Sequence, residues 1–405
     1  MAFWYSTGYI WSVVGAVMMQ SLKNIYHFLT AWFFVIWYGI PSRNIKIIGV
    51  TGTDGKTTTC HLIYEILKKA GIKVALISTV AAYLGEEELD TGFHVTSPDA
   101  RILQPLLLRI KKEGFTHLVL EVTSHGLDQN RFAGMKFYTA IITNITHEHL
   151  DYHKTFEKYK ATKMKLLKMA RYPIYEYTKT KIKIENPALA GEHNKYNIGA
   201  AEAVAKIFGI QYSVIGEVVK EFSGVPGRME EIKWPKSCLP AGRFRAIVDF
   251  AHTPNALLQV LKELKNQKPK NSKLILIFGC AGLRDHSKRP MMGEIAMRLA
   301  DKVIITAEDP RTESLDDIYR QITSPPPSPE SNSSRFASKR GGSTAVEGEV
   351  FRIDDRTKAI QMAVDMAEPG DIVVATGKGH ERSMCFGKKE YPWSDREAFE
   401  KAIKQ

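Results

Sequence analysis

The sequence predicts an α/β protein with two mostly parallel sheets behind a short apolar helical N-terminus. Residues 49–59, GVTGTDGKTTT, follow the apolar run Ile45, Ile47, Ile48 and precede a helix-like stretch from Cys60 to Ala70, the order strand, glycine-rich turn, helix. From residue 44 onward, short β-branched runs alternate with amphipathic stretches, the pattern of parallel strands joined by helices. At 405 residues the chain exceeds one ordinary core and suits two or three domains.

The N-terminus comes first in the chain and is the least like a soluble protein. Residues 1–42 contain no Asp or Glu and carry two apolar stretches, Tyr9 to Met19 and Phe28 to Ile40. Each is shorter than a bilayer span. Trp32, Trp37 and Tyr38, flanked by Lys23 and Arg43, suit a water–lipid interface, so residues 1–43 read as a helical segment in peripheral contact with a membrane. A buried helical pair covering the next domain is the plainer alternative. A cleaved signal peptide fits worse, because no small-residue cleavage pattern precedes the glycine-rich loop.

Next comes a domain over residues 44–225. Lys73 to Ser78, His117 to Val122 and Thr139 to Thr143 read as buried strands, and Asp99 to Glu113 and Phe156 to Met169 as amphipathic helices. The turn-rich Ser223 to Arg228, SGVPGR, reads as a hinge into a domain over residues 226–405. That domain repeats the pattern: strand Ala246 to Phe250, helix Asn255 to Asn266, strand Leu274 to Phe278, helix Arg289 to Leu299, strand Lys302 to Thr306 and a last strand Asp371 to Thr376. Residues 324–349, rich in Pro, Ser and Gly, read as a disordered surface insertion.

The loop itself carries the first chemistry. Gly52 and Gly55 let backbone N–H groups close round phosphate oxygens, with Thr53, Asp54 and Thr58 beside them, Lys56 as a point charge, and the Thr57 hydroxyl within reach of a phosphate-bound magnesium. The chain therefore binds a nucleoside triphosphate. The alternative is a tight turn holding an accidental Gly-Lys-Thr, and the strand and helix on either side argue against it. Polar residues also gather where doubly wound sheets place ligands. Glu121 ends a predicted strand, and Asn144, His147, Glu148, His149, Asp151 and His153 crowd the end of the next. Hard oxygens such as those of Glu121 and Thr57 suit magnesium, and a histidine can supply one more ligand. For His147 and His153 the reading is a structural hydrogen bond, and for Glu121 and His149 it is function.

Composition excludes little. The formal charge of +12 fits nucleic acid, an anionic membrane or acidic small substrates, but no arginine-rich tail or aromatic nucleic-acid motif is present, so nucleic acid is not expected as a partner. Cys60, Cys238, Cys280 and Cys385 lie far apart without metal-type spacing, which fits a reducing cytosol.

With these residues in view the chain resembles the Mur ligase family, and within it the UDP-N-acetylmuramyl-tripeptide synthetase type. The motifs that carry the resemblance are TGTDGKTTT, LEVTSHGLDQNR, TNITHEHLDYH, YKATK, GEHNKYN, GVPGRME, VDFAHTPNAL, FGCAGLRDHSKRP, EDPRTE and GKGHE, in the family's order from about Asn44 to the C-terminus. The resemblance implies a P-loop-type central ATPase domain followed by a Rossmann-like C-terminal domain. It implies that ATP phosphorylates a substrate carboxylate and that an amine then attacks the acyl phosphate to form an amide. It also implies that Lys56 holds the β- and γ-phosphates, that Thr57 and Glu121 bind one magnesium and His149 a second, and that Lys163 is carbamylated near that second metal. From spacing alone Lys163 would be a surface helix lysine.

By the same resemblance Asn194 and Asn197 lie against adenine, Arg228 and Asp249 belong to the ATP site, and Asn144 and His252 lie nearby. Thr96, Ser97 and Pro98 resemble the loop that meets a muramyl dipeptide, and Ser124, His125 and Arg131 the positions that grip its glutamate end and phosphates. Asp309, Pro310 and Arg311 of EDPRTE, with Gly377, His380 and Glu381 of GKGHE, resemble the pocket for a diamino acid. An arginine there forks onto a distal carboxylate, which favours meso-diaminopimelate, while Glu308 and Asp309, the latter where the usual motif has Asn, could instead meet a lysine ammonium.

Three departures stand out. Family members begin with a uridine-diphosphate-binding domain of roughly a hundred residues, and the 43 residues here are too few and too apolar to form it. Only 27 residues separate Lys163 from Gly191, short of the family's strand-rich stretch. Asp54 replaces the common Asn of the loop and Glu148 the Asp before the metal-site histidine. The resulting expectation is a cytoplasmic peptidoglycan-precursor ligase held at the inner membrane face. A same-fold ligase of a lipid-linked or non-uridylated carboxylate, and a non-catalytic membrane-tethered nucleotide-binding protein, stand as alternatives.

Overall fold

Buried parallel strands read as continuous apolar runs, and two sheets form from such runs here. The computed structural model describes residues 24–89, 97–146, 148–234, 243–325 and 349–404, apart from the Asp151 side chain. Tyr9 to Met19, Thr96, His147, Cys238 and nearly all of the predicted 324–349 insertion lie outside the described residues. The described residues within Met1–His147, His153–Ile184 and Asn194–Phe222 make one compact unit, and Glu148–Tyr152, Glu185–His193 and Ser223–Gln405 a second.

The first unit opens with α1 (residues 24–37) and a 3-10 turn at Pro41–Asn44. It continues through β1 (Lys46–Thr51), α2 (Lys56–Lys69), β2 (Val74–Ile77), the antiparallel strands β3 (Ala82–Leu84) and β4 (Glu87–Leu89), α3 (Ala100–Lys112) and β5 (His117–Glu121). Then follow α4 (Ser124–Asp128), β6 (Phe137–Ile142), α5 (Leu150–His153, all but its last residue grouped with the second unit), α6 (Phe156–Lys168), β7 (Ala170–Ile174), α7 (Glu192–Ile207, in this unit from Asn194) and α8 (Tyr212–Glu221). The strand order is β4-β3-β2-β5-β1-β6-β7, with β2 through β7 mutually parallel. Leu103, Leu107 and Ile110, recurring on one face of α3, bury against Ile77, Leu118 and Leu120 of the sheet. Side-chain caps set the helix starts: Asp99 accepts from Arg101 N, Thr123 from Gly126 N and Thr155 from Lys158 N.

The helix expected from Cys60 starts at Lys56, which puts Lys56 and Thr57 in its first turn. The β-branched Thr57, Thr58 and Thr59 disguise that start, because stiff side chains lower helix propensity without forbidding a first turn.

The second unit contains β8 (Glu230–Glu231), β9 (Arg245–Asp249), α9 (Pro254–Gln267), β10 (Leu274–Phe278), α10 (Lys288–Leu299), β11 (Lys302–Ile305), α11 (Leu315–Thr323), β12 (Glu349–Arg352), α12 (Arg356–Asp365) and β13 (Ile372–Thr376). Its strand order is β12-β11-β10-β13-β9-β8, parallel except for β8. The last strand expected from the sequence, Asp371 to Thr376, is β13. That strand lies between β10 and β9, and a hairpin of β14 (Ser383–Phe386) and β15 (Lys389–Pro392) and a helix α13 (Asp395–Ala402) follow. Two clusters cover the faces of this sheet, one around Leu261, Leu276 and Ile318, the other around Ile275, Ile360 and Phe399.

Among the described residues no helix is long and apolar enough to cross a membrane. The buried helical pair offered as an alternative includes Tyr9 to Met19, outside the described residues, and of that pair only α1 is described. Only Ala31 and Val35 are buried on it, while Ile25, Leu29, Phe33, Ile36 and Trp37 are all exposed.

Candidate active site

In the first unit the site grows from the carboxyl ends of β1, β5 and β6, which lie side by side with Val50 opposite Glu121 and Thr51 opposite Ile142. Two glycines are required by geometry. Gly52 has φ 155° and a Cβ there would lie 1.9 Å from Thr143 Oγ1; Gly55 has φ 77° and its Cβ would meet Asn197 Oδ1 at 2.2 Å. Backbone thus runs where no side chain fits, which leaves main-chain N–H groups at the surface of the loop for an anion.

The loop is tied to the end of β6 atom by atom. Thr53 N donates to Asn144 O at 2.9 Å, Asp54 N to Asn144 Oδ1 at 2.9 Å, and Thr143 Oγ1 to Asp54 O at 2.6 Å. Thr53 Oγ1 accepts from Thr146 N at 2.9 Å and bonds Tyr159 OH at 2.9 Å. Lys56 Nζ folds back to Thr53 O at 2.9 Å. Thr57 Oγ1 donates to Glu121 Oε1 at 3.2 Å, and Glu121 Oε2 accepts Thr79 N at 2.9 Å, so a buried carboxylate sits beside the loop with its oxygens oriented. Thr58, on the outer side of the same turn, is half-buried.

Lys163, expected from spacing to be a surface lysine, is buried. Its Nζ donates to Gly52 O at 2.6 Å and stands 4.7 Å from the Tyr159 ring centroid. Position on the inner face of α6 decides this, and four-residue spacing sets Tyr159 one turn before it. Asn197 Nδ2 donates to Asn194 Oδ1 at 2.9 Å and Asn197 Oδ1 accepts from Thr59 Oγ1 at 3.4 Å, which brings both expected adenine residues to the side of α2. Ser97 Oγ accepts from Thr123 N and from Thr123 Oγ1, each at 3.0 Å, and Arg131 Nη1 donates to Ser97 O. Ser124 Oγ is buried with no hydrogen-bond partner among the described residues, and the His125 ring stands 5.6 Å from that of His153.

The second unit gathers another set. Asp249 is buried at the end of β9 and accepts from Met229 N and Ala251 N, each at 2.7 Å. Burial pushes its carboxyl above the usual range, against the pull of the Arg228 guanidinium, which stacks 4.3 Å from the Phe250 ring. His252 Nδ1 is 2.8 Å from Phe250 O. Lys288 Nζ donates to His252 O at 2.7 Å and to Glu148 Oε1 at 3.2 Å, and His149, with φ 57°, stands 3.9 Å from the same Glu148 oxygen. His149 therefore groups with the second unit, while Thr57, Glu121 and Lys163 lie in the first. Among the described residues no three His, Cys, Asp or Glu side chains converge as a metal cage, and the hard oxygens paired beside the loop are those of Thr57 and Glu121.

The expected diamino-acid residues cluster. Asp309 Oδ1 accepts from Lys378 Nζ and from Cys385 N, each at 2.9 Å. Lys378 also pairs with Glu381 Oε2 at 2.5 Å, and although burial works against its charge these carboxylates hold its ammonium above the usual range. Arg311 Nη1 donates to Gly282 O at 2.6 Å, and its backbone bridges Phe386 of the hairpin. Pro310 O lies where a Cβ on Gly282 would be. His380 rests 5.1 Å from the Phe250 ring. Glu308 is buried, its Oε2 without a hydrogen-bond partner among the described residues and its carboxyl pushed up to about 7 by burial, and a Cβ on Gly377 would fall 2.0 Å from that oxygen.

Sequence reasoning passed over several members of these sets. Thr143, Tyr159, Thr123, Lys288 and Lys378 all lie inside motifs already singled out, so the signal was present, but only packing assigns them partners.

The family model described as Mur ligase middle domain matches residues 50–178, and the one described as Mur ligase, glutamate ligase domain matches residues 227–379. The chain is 33% identical to the UDP-N-acetylmuramoyl-L-alanyl-D-glutamate--2,6-diaminopimelate ligase of Parabacteroides distasonis, across 89% of this chain and 78% of that one. A solved diaminopimelate ligase of the same description superposes with TM-score 0.53 at 28% identity, covering 95% of this chain and 82% of the other. A bifunctional folylpolyglutamate synthase/dihydrofolate synthase from Yersinia pestis, solved with AMPPNP and a manganese ion, gives TM-score 0.64 at 16% identity over 86% of this chain and 90% of its own, a likeness of fold.

Proposed function

The chain belongs to the Mur ligase family of ATP-dependent ligases, and from that premise we propose that it joins a UDP-N-acetylmuramoyl-L-alanyl-D-glutamate-type acceptor to 2,6-diaminopimelate in peptidoglycan synthesis. The observation that carries the reading is the Thr57–Glu121 pair beside a glycine-cradled loop holding Lys56.

A carboxylate resists amine attack until one of its oxygens can leave. An acceptor carboxylate oxygen therefore attacks the γ-phosphorus of ATP, ADP departs, and the acyl phosphate forms. The amine then attacks the carbonyl carbon, phosphate leaves with the former carboxylate oxygen, and the amine nitrogen loses a proton. Lys56 moves from Thr53 O to the phosphates, while the amides of residues 52–57 surround their oxygens. Thr57 and Glu121 would hold a divalent cation, which would supply positive charge to the transferring phosphoryl group. Lys163, carbamylated in this proposal, exchanges an ammonium for an anionic group near the loop.

Support for diaminopimelate over lysine comes from the second unit's charges. The Asp309 oxygen that could meet a lysine ammonium is already engaged by Lys378 and Cys385 N, whereas Arg311 suits a distal carboxylate. Phosphate release and product mass, read for the muramyl dipeptide acceptor with and without uridine diphosphate against diaminopimelate and lysine, test the reading. Amide product with diaminopimelate supports it; ATP hydrolysis with no amide from any pair overturns it.

The reading also places the enzyme on the cytoplasmic side, in peripheral contact with a membrane through residues 1–42. The observation favouring contact is the exposed apolar face of α1.

A further inference from the structure

We infer that α1 lies flat in the surface of an anionic phospholipid bilayer, with its opposite side clamped to the turn that follows α4. This deepens the peripheral contact just proposed, and its second half rests on the acceptor role given to Ser124, His125 and Arg131.

A surface helix normally turns polar residues outward. Helix α1 does the reverse. At 100° per residue Ile25, Leu29, Phe33 and Ile36 fall on one side, flanked by Tyr26, Phe28, Trp32 and Trp37, and all eight are exposed, from 38% for Trp32 to 71% for Trp37. No charge interrupts that side, and contiguous apolar patches of this kind mark docking surfaces. The narrow inner stripe is fixed to the first unit: Ala31 and Val35 are buried, Asn24 Nδ2 donates to Asp128 Oδ2 at 3.2 Å, and a Cβ on Gly134 would lie 2.9 Å from Val35 Cγ1. Asp128 and Gly134 bracket Arg131, so the helix and the acceptor loop form one packed block.

Charge selects the occupant. Residues 1–42 hold no acid, Lys23 precedes and Arg43 follows the described helix in sequence, and the whole chain carries +12. The described part of the helix, about 21 Å long, is packed along its inner stripe against the first unit, so it meets the bilayer with its side, with tryptophan and tyrosine at headgroup depth.

The test is sedimentation of the full chain with vesicles of phosphatidylcholine alone or with 30% phosphatidylglycerol, roughly the anionic content of a charged leaflet. The parent should pellet with the anionic vesicles, and the Leu29→Glu/Phe33→Glu/Ile36→Glu variant should bind about tenfold less. ATP hydrolysis with water-soluble acceptor should stay within about twofold, which reports that the variant is folded. Equal pelleting of parent and variant, or none by the parent, overturns the inference. So does a parent dimer that the variant abolishes without any vesicle binding, which gives the face to a second copy. A chain lacking residues 1–23 should still pellet; loss of binding moves the contact away from α1. For the clamp, Gly134→Val should raise the acceptor KM several-fold at unchanged ATP KM, and an unchanged acceptor KM removes the link to the loop. Vesicle binding is read without turnover, so its failure is separate from failure of the ligase reading.

Discussion

At the carboxyl ends of β1 and β6 most hydrogen bonds use backbone atoms, and glycine keeps side chains away. The first edge buries two ionic side chains, Glu121 and Lys163; the carboxyl ends of β11 and β13 bury more, Glu308, Lys378 and, from the neighbouring α12 and α13, Arg356 and Asp395. Arg356 reaches both Asp395 oxygens at 2.7 Å and Thr376 O at 2.8 Å. Both sheets are mostly parallel, so architecture does not explain the contrast; the chemistry proposed for each edge does. A polyphosphate is gripped by main-chain amides that need little more than room. A zwitterion needs charges fixed in advance, and burying them makes binding residues matter for stability as well.

The contrast is sharpest at its largest expected effect. Lys163→Ala should lower ligation by about a thousandfold or more with little change in unfolding midpoint, and formate should restore part of the rate by standing in for the carbamate. Undiminished turnover would remove Lys163 from the chemistry. Glu121→Gln, which keeps the shape but not the charge, should cost about a hundredfold to a thousandfold in kcat, again without unfolding. In the second unit the expected order reverses: Arg356→Met leaves the buried Asp395 without its cation, with the Trp393 indole N–H still donating to Oδ1, and urea titration should register a loss of about 3 kcal/mol. If that variant were as stable as the parent, the contrast between the edges would fail.

Glu308 gives the contrast a pH signature. Its folded carboxyl is raised from 4.5 to about 7, so the native state holds the proton more tightly than the unfolded chain. Stability from this group is complete below about 4.5 and is lost as pH rises through about 7, by at most about 3 kcal/mol. Glu308→Gln should therefore gain on the parent in melting temperature between pH 5 and 8. The Glu313 carboxyl, held down to about 2 by the Arg289 guanidinium, titrates below that window. A constant difference across the range would deny Glu308 its raised value. The smallest effect belongs to Asp309→Asn, which removes one of two carboxylates from Lys378 and should raise the diaminopimelate-to-lysine preference by up to about tenfold. An unchanged ratio, measured as relative kcat/KM, separates Asp309 from amino-acid choice.

Much of the fold was legible because parallel strands buried on both faces must be apolar throughout, as Leu274–Phe278 is, and because Asp99, Thr155 and Thr253 announce the helices they cap. Short or exposed strands gave no such signal. Glu87–Leu89 is mostly charged, Ala170–Ile174 carries a proline on the sheet edge, and the hairpin Ser383–Phe386 with Lys389–Pro392 is largely exposed on its second strand. In the site, Gly52, Gly55, Lys56 and Thr57 were readable because spacing along one loop encodes them. Tyr159 and Lys378 were not, because their partners lie 106 and 69 residues away in sequence.

The sequence by itself determined the α/β alternation, the phosphate loop, the order of the motifs and an acid-free apolar N-terminus, since each depends on neighbours within a turn or a strand. Tertiary structure alone decided that Lys163 is buried against Gly52, that Lys378 occupies Asp309, that Glu308 is held partly protonated near neutrality, and that α1 turns its apolar face outward. Those outcomes depend on which distant groups share a volume, and burial and charge pairing are properties of that volume rather than of the chain's local pattern.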